Sequence, residues 1–248
     1  MTESPPRTLA ERPRRRARKR SGGAGAFLRD LVVIVIVALL ASFLIKTFLV
    51  RSFFIPSESM QNTLQVNDRI LVNELVPGLI PLQRGDVVVF RDPGEWLEPT
   101  APSATGPIAA AGDWLLSLVG LSTADSNDHL IKRVIGLPGD HVKCCNAIGQ
   151  LSVNGTPLDE PYVLKQQGTS AVSGTSFDVT VPQGDLWVMG DNRYDSKDSR
   201  YNTDTPTHGF VPVKDVVGRA FVISWPVTRW TYLSDYPETF TGIPAAAG

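Results

Sequence analysis

The alternation of apolar and polar positions divides the chain in two. Residues 31–50 read LVVIVIVALLASFLIKTFLV, an apolar run with hardly a polar break. About twenty such residues carry a helix across a bilayer core of about 30 Å, so the pattern predicts one transmembrane helix over 27–50. Lys46 falls near its outer end, where a long stem lets the ammonium reach the head groups. A cleavable signal peptide has a shorter apolar core followed by a small-residue A-x-A site. Here RSFFIPS follows instead, and the expectation is an uncleaved anchor. The next most apolar stretch, 107–121, is broken by Gly112 and Asp113, which predicts a single pass.

From residue 52 onward the pattern changes to short runs bounded by turn residues. RGDVVVFRDP (84–93), HLIKRVIGLPGD (129–140) and VVGRAFVISWP (216–226) each read as a β-branched strand closed by Gly or Pro. LSVNGTPL (151–158) alternates around Asn-Gly, a hairpin signal, and FDVTVPQGDLWVMGDN (177–192) holds two more strands. Helical periodicity is weak throughout. The predicted fold is mainly β, an antiparallel domain over 51–248 with Greek-key or barrel-like closure, carried on one N-terminal transmembrane helix. Residues 93–127, rich in Pro, Ala, Gly and Ser, read as a loop or insertion. Residues 1–26 are polar, Arg- and Pro-containing, and end in SGGAGA, a composition that predicts disorder.

Charge adds an orientation. The formal net charge is −1, but residues 1–30 carry nine Lys/Arg against Glu3, Glu11 and Asp30, which leaves −7 for the remainder. A basic tail before an apolar span predicts a cytoplasmic N-terminus and an extracytoplasmic domain 51–248. Nucleic-acid binding is the rival reading of an Arg cluster. No aromatic residue interleaves this one, and the span follows at once, so no nucleic-acid partner is expected.

The two cysteines are the adjacent Cys144 and Cys145. In an oxidising compartment they can pair as a vicinal disulfide or remain as two free or buried thiols, and sequence leaves both open. His129, His141 and His208 are the only histidines, and the spacings of a zinc site are missing. No metal or cofactor is expected.

Several nucleophilic systems can be tested against the chain. There is no G-x-S-x-G elbow for a Ser-His-Asp hydrolase and no S-x-x-K pair. The carboxylates of GDNRYDSKDSR resemble a solvated turn. A Ser-Lys dyad remains, in which burial must lower the lysine pKa before the amine can act as a base. Lys132, within LIKRVIG, is the best candidate. Strand alternation sends Lys132 and Arg133 to opposite faces, so that one can face solvent while the other is drawn inward among apolar side chains. On spacing alone an ordinary edge-strand lysine fits better.

Three separated stretches, in order, resemble the boxes of type I signal peptidases, the membrane-anchored Ser-Lys leader peptidases. PSESMQNTL (56–64) is similar to the family's P-S-x-S-M-x-P-T-L. KRVIGLPGD (132–140) is similar to K-R-x-x-G-x-P-G-D, and GDNRYDSKDSR (190–200) to G-D-N-R-x-x-S-x-D-S-R. The flanking RGDVVVF (84–90) and GRA…WP (218–226) agree, and the adjacent cysteines and Arg-rich tail resemble members from high-GC Gram-positive bacteria.

The resemblance implies roles position by position. Ser59 is the nucleophile and Lys132 the general base. Ser196 orients the lysine amine. Ser57 and the Ser59 backbone N–H form the oxyanion hole, and Asp198 with Arg200 is an ion pair bracing the site. Asp191, Asn192 and Arg193 are scaffold, and Met60 packs beneath the nucleophile. The substrates implied are exported preproteins, cut after A-x-A-type sites at the membrane surface near the export translocon. Phe53, Phe54 and Ile55 would line the pockets for those small residues or dip into lipid, and Trp225 and Trp230 would meet the bilayer interface.

Two positions depart from the family. Asn62 stands where its proline does, which would loosen the turn presenting Ser59, and Tyr194-Asp195 replaces its usual Asp-Asn. Two rivals remain. One is a membrane-anchored β-rich binding domain, an inactive relative, against which Ser59, Lys132 and Ser196 all being present argues. The other is a repressor-type self-cleaving protease, against which the membrane span argues.

Overall fold

The computed structural model describes residues 23–97 and 128–245. The chain divides into two compact units, Met1–Phe43 and Leu44–Gly248. Helix α1 begins in the first at Gly23, inside the stretch expected to be disordered, and ends at Phe48, within the second unit and short of the expected 50. It holds one window, Gly25–Ser42, long and apolar enough to cross a membrane, with mean hydropathy 2.2. Large apolar side chains there, Phe27 to Leu40 among them, lie exposed. The rest of the expected tail, 1–22, and residues 98–127 of the expected insertion lie outside the described residues.

The second unit is built of antiparallel strands in two sheets. In the larger, β1 (Val50–Phe54), β2 (Arg69–Asn73), β11 (Val216–Trp225), β3 (Val87–Arg91), β4 (His129–Gly136), β9 (Asp185–Met189) and β10 (Val211–Pro212) follow in that spatial order. A further strand, β12 (Thr231–Tyr232), pairs with β11. The smaller sheet orders β7 (Thr156–Pro157), β6 (Leu151–Val153), β5 (His141–Cys144) and β8 (Phe177–Thr180). Among the described residues the large ladder ends at β1 and β10, so the expected barrel-like closure takes the form of an open path.

Burial explains why β3 reads as an unbroken apolar run. Val87 and Val89 enter a cluster with Phe53, Ile55, Met60, Leu64, Ile70 and Ile131. Val88 and Phe90 enter another, with Trp96, Val134, Leu186 and Val188. A strand covered on both faces loses the polar half of its alternation. The small sheet packs its own cluster, in which Leu151, Val153 and Trp187 surround Cys144, whose sulfur meets that of Cys145.

Local chemistry shapes the connections. Asn154 and Gly155 both take positive φ between β6 and β7, as the Asn-Gly turn requires. At 92–97, the described start of the expected insertion, the Asp92 carboxylate accepts from the backbone N–H groups of Gly94, Trp96 and Leu97. That turn drops the Trp96 ring edge-on against Phe90, so the segment begins as part of the core.

Candidate active site

Three parts of the second unit converge. The first is the connection between β1 and β2, residues 55–68. It is closed at its base by Ile55 N–H to Asp68 O and Asn67 N–H to Ile55 O, both 2.9 Å. Its tip winds into tight turns, with Gln61 N–H donating to Glu58 O and Leu64 N–H to Met60 O. Met60 is wholly buried in the first cluster, which anchors the turn from below. Ser59, the residue before it, is 7% exposed and its hydroxyl stands 3.3 Å from that of Ser57.

The second part is β4. Lys132 and Arg133 diverge from it, but neither faces solvent: Lys132 is 4% exposed and Arg133 is fully buried. The expectation that one of the two would lie outside is overturned, because each finds polar partners in the interior. Lys132 Nζ lies 2.9 Å from Ser59 Oγ and 2.9 Å from Ile131 O. Burial lowers the lysine to about 8, and Asp198 and Asp191, which favour its charged form, offset part of that effect. At that value a useful fraction of the amine is neutral near physiological pH.

The third part follows β9. Gly190 begins the segment, and a Cβ there would sit 2.3 Å from Ser196 Oγ and 2.4 Å from Ser59 O. Only glycine lets the two serine-bearing segments come this close. Asn192 fastens them together, with its N–H on Ser59 O at 3.1 Å and its side-chain amide on Glu58 O at 3.2 Å. Ser196 donates its hydroxyl to Asp198 Oδ2 at 2.8 Å, the same oxygen that accepts the Gly190 N–H. Arg200 grips both oxygens of Asp198, reaching Oδ1 through Nε and Oδ2 through Nη2.

Two carboxylates of this segment, Asp191 and Asp198, are therefore buried with guanidinium partners, unlike a solvated turn, while Asp195 is exposed, and Glu160 from outside the segment is buried and paired in the same way. Asp191 pairs with Arg133, Asp198 with Arg200, and Glu160 with Arg193. Removing one member of such a pair strands a charge, which makes these pairs rigid fixtures. Glu160 was not legible as one of them. One of two adjacent carboxylates in LDEPYV looks like surface, and only the fold brings it to Arg193 and to the Tyr162 hydroxyl at 2.8 Å.

Both departures from the family pattern have a local account. Asn62 adopts φ +86°, a left-handed conformation that asparagine tolerates and proline cannot reach, and its side-chain amide donates to Tyr162 O at 3.0 Å. The turn is thus pinned where loosening was expected. Tyr194 sends its hydroxyl to Ala171 O at 2.8 Å, tying down the loop whose Ser173 accepts from Arg200. Phe53 and Ile55 are buried in the first cluster, while Trp225 and Trp230 are exposed.

Comparison with known proteins agrees in extent with this geometry. The family described as signal peptidase, peptidase S26, matches residues 28–225. Signal peptidase I of Mycobacterium tuberculosis is 40% identical over 222 residues, 82% of this chain and 74% of that protein. The probable signal peptidase I of Mycobacterium leprae is 39% identical over 227 residues, 82% of this chain and 78% of that one. A crystal structure of a signal peptidase I from Enterococcus faecalis aligns with 56% of this chain and 95% of its own, at 26% identity and TM-score 0.35. With a match that runs from the apolar helix to the end of β11 and takes in every segment converging on Ser59, the chain belongs to the signal peptidase family, peptidase S26.

Proposed function

We propose that the chain is a membrane-anchored serine endopeptidase that removes signal peptides from exported preproteins, with Ser59 as nucleophile and Lys132 as general base. The observation that carries this reading is the 2.9 Å approach of the buried Lys132 amine to the Ser59 hydroxyl. In its neutral form Lys132 takes the Ser59 proton as Oγ attacks the scissile carbonyl carbon, and the carbonyl π electrons move onto oxygen. The tetrahedral intermediate collapses, the C–N bond breaks, and the leaving amine takes the proton from the Lys132 ammonium. Water then attacks the Ser59 ester, giving one proton to Lys132, which returns it to Oγ as the acid departs.

Ser57 Oγ and the Ser59 N–H serve the developing oxyanion. Donors aimed at that charge stabilise the transition state more than the ground state. Ser196 is read as the group that orients the lysine amine; its hydroxyl donates to Asp198 at 2.8 Å, and Asp198 with Arg200 holds it there, while the amine's own hydrogen bonds go to Ser59 Oγ and Ile131 O.

Substrate enters as an added strand. β1 ends the large ladder, and the ring of Phe53 on it stands 5.3 Å from that of His129 on β4. An extended peptide can hydrogen-bond along such an edge and reach Ser59, which follows β1 in the chain. The apolar cluster of Phe53, Ile55, Met60 and Ile131 beside the nucleophile suits small uncharged side chains, as in A-x-A sites.

The basic tail is cytoplasmic and residues 51–248 extracytoplasmic, close to the export translocon. Exposed Trp225, Val227, Trp230 and Tyr232 favour contact with the lipid interface. Cys144 and Cys145 are read as a disulfide suited to that compartment.

The test is incubation of the detergent-solubilised chain with a preprotein bearing an Ala-x-Ala site, followed by mass spectrometry of the product N-terminus. Cleavage after the second Ala, lost in both Ser59→Ala and Lys132→Ala, is expected. A product with a different N-terminus, or one that persists in either variant, refutes the reading.

A further inference from the structure

The family match stops at residue 225, yet the chain beyond it is seated on the domain. Leu233 N–H donates to Phe221 O at 2.9 Å, and the Thr239 hydroxyl donates to Asp159 O at 2.7 Å. Leu233 packs on the first-sheet cluster, and Phe240 and Ile243 on that of the small sheet. The backbone passes so close to Gly85 that a Cβ there would lie 1.8 Å from Asp235 O.

What this segment covers is Arg133, the neighbour of Lys132. All five N–H donors of that guanidinium have acceptors. Nη1 reaches Gly85 O at 2.6 Å and Ser234 O at 3.1 Å. Nε and Nη2 reach the two Asp191 oxygens at 2.9 and 2.7 Å, and Nη2 also reaches Thr63 Oγ1 at 3.3 Å. Two aromatic rings enclose it, with Tyr162 at 4.2 Å and Tyr236 at 5.3 Å from centroid to guanidinium carbon. The two rings lie 5.1 Å apart. One carbonyl and one ring of this cage therefore come from residues 234–236.

The cage leads directly to the nucleophile. Asp191 is flanked by Gly190 and Asn192, which set the approach to Ser59 O, and Thr63 belongs to the same turn as Ser59 and donates to Asp191 Oδ2. We propose that residues 233–240 form a strap that positions the Ser59–Lys132 pair through Arg133 and Asp191, with Tyr236 as its positioning residue. This rests on the Ser-Lys reading above. Without the strap a buried guanidinium loses a cation–π partner and its fork shifts on Asp191. Small displacements of a catalytic pair are costly, about 10²-fold for roughly 1 Å.

A structural role alone would lower stability without changing the base. The strap acts on the base as well. The charged groups facing Lys132 are Asp191, Asp198 and Arg200, all from the segment after β9, with Arg133 adjacent on β4. An Asp191 less neutralised by Arg133 favours the ammonium form of Lys132, which moves the acidic limb of the rate profile to higher pH.

The experiment compares the full-length wild type with Tyr236→Ala, Tyr236→Leu, Tyr236→Phe and Glu238→Ala, an exposed site on the same strap. The kcat, KM and pH dependence of cleavage of an Ala-x-Ala preprotein are measured beside thermal melting, and Ser59→Ala and Lys132→Ala are run in parallel. In Tyr236→Ala and Tyr236→Leu, kcat is expected to fall roughly tenfold with KM nearly unchanged and the limb displaced upward. Tyr236→Phe, which keeps the ring, and Glu238→Ala are expected to match wild type. A Tyr236→Leu variant with wild-type kcat and limb overturns the proposal, as does a Tyr236→Phe variant as impaired as Tyr236→Leu. Activity in Lys132→Ala would instead overturn the dyad on which the proposal rests, so the two failures are separable.

Discussion

The Lys132 amine and the Ser59 hydroxyl, 73 positions apart in sequence, stand 2.9 Å from each other in the interior. Each is supported differently. Ser59 sits on a turn anchored by Met60, and Lys132 on a strand held between β3 and β9.

Ser57 faces the nucleophile at 3.3 Å and is assigned to the oxyanion. Ser57→Ala is expected to lower kcat by about 10²–10³, or about 2.7–4 kcal/mol, with little change in KM. Steady-state kinetics on one preprotein will show it. A large rise in KM with kcat intact would place Ser57 in substrate binding instead.

Gly190 separates Ser196 Oγ from Ser59 O with no room for a methyl group. Gly190→Ala is expected to fold but to lose activity by roughly two orders of magnitude, since it pushes the nucleophile turn away from the lysine. Circular dichroism and kcat measured on one preparation distinguish this from global unfolding.

Asn62→Pro restores the family's residue at a position where φ is +86°. Because proline is fixed near −65°, the change is expected to destabilise the domain by about 1–3 kcal/mol and to reduce activity, while Asn62→Gly costs less. Chemical denaturation of the three proteins decides the order. A proline variant as stable as wild type would mean that the turn readily takes the other conformation.

Burying Lys132 has a cost that depends on pH. The unfolded lysine titrates near 10.5 and the folded one at about 8, so between those values the unfolded chain holds more protons and stability rises with pH. Below about 8 the penalty is fully present, on the order of 3 kcal/mol. Lys132→Met is therefore expected to be inactive yet more stable than wild type at pH 7, with the gap narrowing toward pH 10.5. Urea midpoints at pH 7 and 10 test this, and an equal gap at both would exclude a depressed lysine.

Much of this was legible in the sequence where the signal is local. The strand around VVVF, the Asn-Gly hairpin and the apolar span were visible as runs, and the boxes hold Ser57, Ser59 and Lys132, which lie together in the fold. What was missed is non-local. β2 is only RILVN between Asp68 and Glu74, and β5 only HVKC, each too short to stand out without its partners. The burial of Arg133 could not be read from β4, because its acceptors come from Gly85, Asp191 and Ser234. Glu160 gives no sign of its partner 33 residues away. The left-handed turn at Asn62 follows from a tertiary contact with Tyr162, which no pattern in SESMQNTL encodes.

The most direct test of the central claim is the pH dependence of kcat/KM for an Ala-x-Ala preprotein from pH 6 to 10. With Lys132 as the base, the rate rises along a single limb with an apparent pKa near 8 and is absent across the whole range in Lys132→Ala. A profile flat through that interval, or a limb that survives in Lys132→Ala, would contradict the account.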